Sequence, residues 1–330
     1  MDEATIDRVL EREPFDVRAL VLKGDCRKQA GDDRTAVAFY NAALRAAAKQ
    51  DRLPIALEPY IVRAQQALQE SAQVFERHLE ADLTRRGFPP DARPPRFQES
   101  LEILTGRRQA RLQLQRPGGY YYPGLPQRRY YERDEFPWVA ELEAAVPRIR
   151  AELEGLLASG EDRFTPYMVS DPNRPRRDVH SLVDNPDWST LYLWENGQPI
   201  ADHVARCPET FRIVSALDQP RITVRAPVIM FSRLSPGAHI PPHTGVLNTR
   251  LICHLPLIVP PGCGFRVGGE TRQWKEGELL VFDDTVEHEA WNHGSSDRIV
   301  LIFDIWRPEL SEQERRAITA LFEAVDSYHA

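Results

Sequence analysis

The sequence predicts an α+β protein in which a helical N-terminal region precedes an all-β core of the jelly-roll type. Three observations lead there. Apolar residues recur at helical spacing up to Arg86, a proline-rich stretch follows, and from Ile222 onward short β-branched and aromatic runs alternate with Pro and Gly. At 330 residues the chain can bury a full core, and we read two unequal domains. A hydrophobic share of 42% and a charged share of 28% are ordinary for a globular chain and give no sign of disorder or fibre. The net charge of −7 excludes general nucleic-acid binding, which needs a basic footprint to displace counterions. No run is apolar enough for a membrane span, and the acidic start lacks the features of an export signal. The four cysteines form no CxxC pair, which points to a reducing cytoplasm.

Taking the elements in order, residues 2–48 alternate helical patterns with short breaks. Leu20, Gly24, Ala36, Tyr40 and Ala43 follow the roughly 34-residue tetratricopeptide spacing, with Ala30-Gly31-Asp32 as the turn between helices. One such repeat cannot bury its own apolar face, so it needs the next helix, read between Pro59 and Arg86 from Ile61, Ala64, Leu68, Phe75, Leu79 and Leu83. Such a region either docks a peptide or protein or only stabilises the rest. The expected organisation is a tetratricopeptide-like helical domain over 1–88, a linker or wrap over 89–118, and a β-barrel domain over 119–330. Within this last part of the chain the spacing predicts helices near 98–113 and from Pro137 to Leu157, the second open to a kink at Pro147. Strands are expected at 222–234, 249–259, 264–267, 278–283 and 298–306. A final helix starts at Ser311, with Glu314 completing a capping box.

Most of the histidines lie between Phe231 and Pro308. A histidine on a strand is usually structural, yet neutral imidazole is also the commonest metal ligand. His243 follows Pro241-Pro242 at a turn, and His288 follows the apolar run Leu279 to Phe282 and a polar turn. In a jelly roll two such turns can meet at one mouth of the barrel. A facial triad would then expect His-x-Asp at the first, and the sequence has His243-Thr244-Gly245.

His243-Thr244-Gly245 and the run Phe282-Asp283-Asp284-Thr285-Val286-Glu287-His288-Glu289 resemble the two iron-binding motifs of the aspartyl/asparaginyl β-hydroxylase family. The likeness covers roughly 120–330, with further anchors at Pro123-Gly124-Leu125, Ser235-Pro236-Gly237, Asn248, Glu276-Gly277, Trp306 and Pro308-Glu309-Leu310. It implies a double-stranded β-helix, an Fe(II) ion held by His243 and His288, and 2-oxoglutarate and O2 as co-substrates. It further implies that Arg298 and Ser232 hold the distal carboxylate of 2-oxoglutarate, that His254 contacts the co-substrate near the metal, and that Trp188 is a further contact. A planar guanidinium suits bidentate carboxylate binding. The sequence departs from the family at Ile252, where a second arginine is usual. Arg250 shares a strand face with His254, and it either takes over part of that role or forms a buried salt bridge. Pro256 is a second departure and suggests a changed strand edge.

His239 reads as a turn residue packed on Pro241, His293 as a solvated turn, and Asp283 and Asp284 as caps of backbone donors rather than ligands. The expected activity is hydroxylation of the β-carbon of an aspartyl or asparaginyl residue in a peptide or protein. The alternatives are hydroxylation of a small-molecule or lipid acyl substrate, halogenation at the carboxylate-free iron, and a non-catalytic tetratricopeptide adaptor with a degenerate barrel.

Overall fold

A computed structural model describes residues 2–50, 53–109, 114–160, 164–170 and 182–328. The chain divides into two compact units, one centred on Met1–Gly87 and the other on Phe88–Val169 with Ser181–Glu323.

The first unit holds helices α1 (Glu3–Arg12), α2 (Val17–Gln29), α3 (Asp33–Ala48) and α4 (Glu58–Arg85). Each of the first three starts at an aspartate, Asp2, Asp16 or Asp32, whose carboxylate accepts from a backbone N–H in the first turn. Helices α2 and α3 fold back on each other about Ala30-Gly31-Asp32, where the helix-turn spacing puts the break. A Cβ on Gly24 would lie 2.7 Å from the Tyr40 ring, so a glycine is needed for this close approach. The core of the hairpin is Leu20, Val21, Ala36, Phe39, Tyr40 and Ala43, closed by Ala64 and Ala67 of α4.

The second unit opens with α5 (Pro95–Leu104), which stops before the expected end near 113; residues 110–113 lie outside the described ones. After β1 (Tyr130–Tyr131), the single helix expected over 137–157 is two, α6 (Val139–Ala144) and α7 (Val146–Ala158), broken at Ala145. Pro147 sits in the first turn of α7, where a missing N–H removes no helical bond. Then come β2 (Thr165–Pro166), β3 (Trp188–Glu195), β4 (Gln198–Pro199), α8 (Ala201–Arg206) and α9 (Pro208–Ser215). The barrel strands are β5 (Ile229–Leu234), β6 (His239–His243), β7 (Arg250–Ile258), β8 (Cys263–Val267), β9 (Glu270–Arg272), β10 (Leu280–Phe282), β11 (His288–Asn292) and β12 (Arg298–Trp306). Helix α10 (Glu312–Ser327) closes the chain, with the reciprocal Ser311 and Glu314 cap in place.

Two antiparallel sheets result. The larger runs β1-β10-β7-β12-β5-β3-β2, with β4 on β3, and the smaller runs β6-β11-β8-β9. Strands β5 to β12 thus split four and four between facing sheets, the arrangement of a jelly roll. The period of two assigns the faces of the larger sheet. Leu251, Cys253, Leu255, Ile299, Leu301 and Phe303 point to a core shared with Leu142, Ile149 and Leu153 of α6 and α7. The alternate residues, among them Ser232, His254 and Arg298, therefore point into the barrel.

Pro256 lies on an interior strand, β7, between β10 and β12. The proline is accommodated because β10 pairs only with Ile252 to His254, and the β12 register shifts between Ile299 and Val300 beside it.

Candidate metal and co-substrate site

Strand β6 lies at an edge of the smaller sheet, so Pro241 and Pro242 remove no needed ladder bond and deliver His243 at the strand end. Across the ladder His243 pairs directly with His288 of β11, and their ring centroids are 4.1 Å apart. The two rings face one volume. Nδ1 of His243 lies 2.8 Å from the Pro241 carbonyl, and Nδ1 of His288 lies 3.0 Å from that of Val286. A carbonyl only accepts, so both Nδ1 atoms donate and both Nε2 atoms carry the lone pair that a metal requires. Burial first, then the neighbouring His243, pushes the His288 imidazole down to about 3, which keeps it in the neutral, ligating form. Two neutral imidazoles suit a borderline ion such as iron(II).

Position 245 is crowded by Asp284. A Cβ there would fall 2.0 Å from Asp284 Oδ2, so the Asp284 carboxylate occupies the space that the acidic residue of a His-x-Asp turn would enter. The two ligand-bearing turns are also joined, since Gly245 N–H donates to Asp284 O at 2.7 Å. Burial pushes the Asp284 carboxyl up to about 7, against the opposing effect of Arg250. Gly245→Asp, which writes the usual triad into the sequence, accordingly displaces Asp284 and costs about 1–3 kcal/mol by overpacking. Thermal melting and zinc affinity check this; unchanged stability with tighter metal binding would contradict it.

Arg298, Ser232 and His254 stand on the neighbouring strands β12, β5 and β7, with Val300 opposite Ser232 and Ile302 opposite His254. All three are buried, and Arg298 Nε, Ser232 Oγ and His254 Nδ1 have no hydrogen-bond partner among the described residues. Trp188 Nε1 is likewise buried without an acceptor among the described residues; the Trp188 ring lies 6.1 Å from that of His243 between centroids, under the stacked ring of Tyr167. Arg298 is the most telling. It is 1% exposed, and burial, with no carboxylate beside it among the described residues, pulls its guanidinium down to about 10. An unpaired buried cation costs several kcal/mol, on the order of its desolvation.

Arg250 differs. Its Nη1 lies 2.9 Å from Asp304 Oδ2 and its Nη2 3.7 Å from Asp284 Oδ2, so the half-buried arginine pairs with two buried carboxylates. Ile252 packs partly buried on the barrel core. Asp283 caps Thr285 N–H and is fully buried against Arg307 at 2.8 Å. His239 is a strand residue bonded to Glu289 at 2.8 Å rather than a turn residue packed on Pro241. His293 is exposed in the turn after β11.

Asp304 was legible but unread: it shares the parity of Arg298 in a strand whose other parity is wholly apolar. Trp274 and Tyr167 sit outside any strong periodic run and carry no such signal.

Fold and site together define a jelly-roll protein in which two facing histidines, His243 and His288, lie close to the buried His254 and Arg298. The chain belongs to the aspartyl/asparaginyl beta-hydroxylase family, whose model matches residues 143–308. Over 142 residues, 43% of this chain, it is 39% identical to the mouse aspartyl/asparaginyl beta-hydroxylase, covering 19% of that protein. It is 37% identical over 181 residues to an ornithine lipid ester-linked acyl 2-hydroxylase of Rhizobium tropici, covering 54% of this chain and 60% of the relative. It is 32% identical over 220 residues to the human aspartate beta-hydroxylase domain-containing protein 2, covering 64% and 56% respectively. The chain thus spans less than two thirds of each of these relatives. No helix among the described residues is long and apolar enough to cross a membrane.

Proposed function

We propose that the chain is an iron(II)- and 2-oxoglutarate-dependent hydroxylase acting on the β-carbon of an aspartyl or asparaginyl side chain in a peptide or protein. The observation that carries this reading is Arg298, a buried guanidinium with no carboxylate partner among the described residues, on the same barrel wall as Ser232 Oγ and His254 Nδ1, which also lack a partner there. His243 and His288 would hold the iron. When bound there with 2-oxoglutarate and O2, iron supplies oxidative decarboxylation of the co-substrate to succinate and carbon dioxide, coupled to hydroxylation of a C–H bond.

The side chains of the barrel do the rest. Arg298 and Ser232 bind and orient the distal carboxylate, the guanidinium through a charge-assisted pair that gains strength in a dry pocket. Phe265 and Phe282, with ring centroids 6.2 and 5.3 Å from His288, exclude water from that ligand. The carbonyls of Pro241 and Val286 hold the ligand protons on Nδ1. The N-terminal helices, with their tetratricopeptide-like spacing, suit the docking of an extended peptide.

A second reading rests on Arg250. With Asp304 at 2.9 Å and Ile252 in place of a further arginine, the barrel offers less positive charge to a substrate carboxylate, which favours an acyl chain like that in the name of the Rhizobium relative. Succinate release from 2-oxoglutarate with iron(II) and O2 tests the reaction class. Turnover in the wild type that disappears in His243→Ala is expected, and no turnover in either favours the adaptor alternative. A one-oxygen mass shift in peptides containing Asp and Asn, rather than in acyl lipids, then separates the two substrate readings.

A further inference from the structure

Trp274, between β9 and β10, belongs to no motif noted above. It is 5% exposed, and its indole Nε1 is buried without a hydrogen-bond partner among the described residues. Buried tryptophan N–H groups usually find an acceptor, because an indole donor taken from water otherwise loses its hydrogen bond. The ring is fixed: it stacks on Phe265 with centroids 5.3 Å apart and planes at 14°. The Arg298 Cζ lies 4.7 Å from the indole centroid, and the His254 ring lies 6.1 Å away. Phe265 in turn reaches His254 at 5.1 Å and His288 at 6.2 Å. One aromatic wall therefore runs from the guanidinium to the metal ligand.

We infer that Trp274 is a further binding residue of the anion pocket, donating its indole N–H to the distal carboxylate of a dicarboxylic 2-oxo acid while its ring face holds the Arg298 guanidinium in place. This rests on the co-substrate reading proposed above. The two contributions differ chemically, since a phenyl ring keeps a face for the cation but offers no N–H. The N–H contribution depends on the distal carboxylate. It should therefore appear with 2-oxoglutarate and vanish with 2-oxopentanoate, which has the same chain length and keto-acid end but lacks that group.

Calorimetry on the zinc-loaded protein with each 2-oxo acid tests this. In Trp274→Phe the affinity for 2-oxoglutarate should fall about tenfold, the usual size of a lost bond to a charged group, and that for 2-oxopentanoate should hold. Equal 2-oxoglutarate affinity in variant and wild type overturns the inference, as does an equal loss for both acids. No 2-oxoglutarate binding by the wild type overturns the co-substrate reading itself, a separate outcome. A second measurement needs no variant. Among the six tryptophan indole N–H signals of the zinc-loaded wild type, that of Trp274 should move on adding 2-oxoglutarate and stay with 2-oxopentanoate. A Trp274 signal unmoved by bound 2-oxoglutarate also overturns it.

Discussion

Arg298→Met should lower 2-oxoglutarate affinity by more than about a hundredfold while leaving the ligand-free protein as stable as wild type or more so. The two effects share one cause. The guanidinium is buried beside Trp274 and Cys263 with no carboxylate partner among the described residues, so the fold bears its desolvation until an anion enters. Methionine fills a similar volume, carries no charge, and removes that cost together with the binding group. Calorimetry and thermal melting on the same preparations check it. A variant that loses stability along with binding would show that Arg298 is a structural cation with a partner of its own.

The second large effect falls on Arg307. Its guanidinium and the Asp283 carboxylate are both fully buried, 2.8 Å apart, and Asp283 also receives Gln115 Nε2 and the N–H and hydroxyl of Thr285. These contacts hold the turn that leads into His288. Arg307→Met leaves the carboxylate buried with one partner fewer, and stability should drop by about 3–5 kcal/mol. Asp283→Leu combined with Arg307→Met should be less damaging than the sum of the single changes, since neither charge is then left alone. Denaturant melts of the four proteins give the coupling directly. Strict additivity would mean that the pair does not act as a unit.

How far the molecule could be read in advance depends on which physical signal each part carries. The barrel strands β5, β7 and β12 announce themselves through Ile, Val and Phe at alternate positions, and the same alternation puts Ser232, His254 and Arg298 on one face. His243 stands out at the turn after Pro241-Pro242 and His288 after the apolar run Leu279 to Phe282, but their direct pairing is a matter of register that only the folded ladder settles. Strand β3 escaped notice although Leu191 and Leu193 alternate with Thr190 and Tyr192, since it stands apart from the β-rich region. The break at Ala145 was open to reading as a kink, because Pro147 stops one helix and starts another equally well. Asp284 against Gly245 was beyond sequence reasoning, as a contact between two turns has no periodicity. The absent carboxylate of His243-Thr244-Gly245 was visible from the outset, whereas what fills its place was not.

The most direct measurement is anaerobic titration of the metal-free protein with iron(II) and 2-oxoglutarate, following the visible charge-transfer band that a chelated 2-oxo acid gives on iron(II). The band should grow to one equivalent of iron in the wild type and be absent from both His243→Ala and His288→Ala. A band of wild-type strength in either variant, or none in the wild type, would contradict a metal held between these two imidazoles.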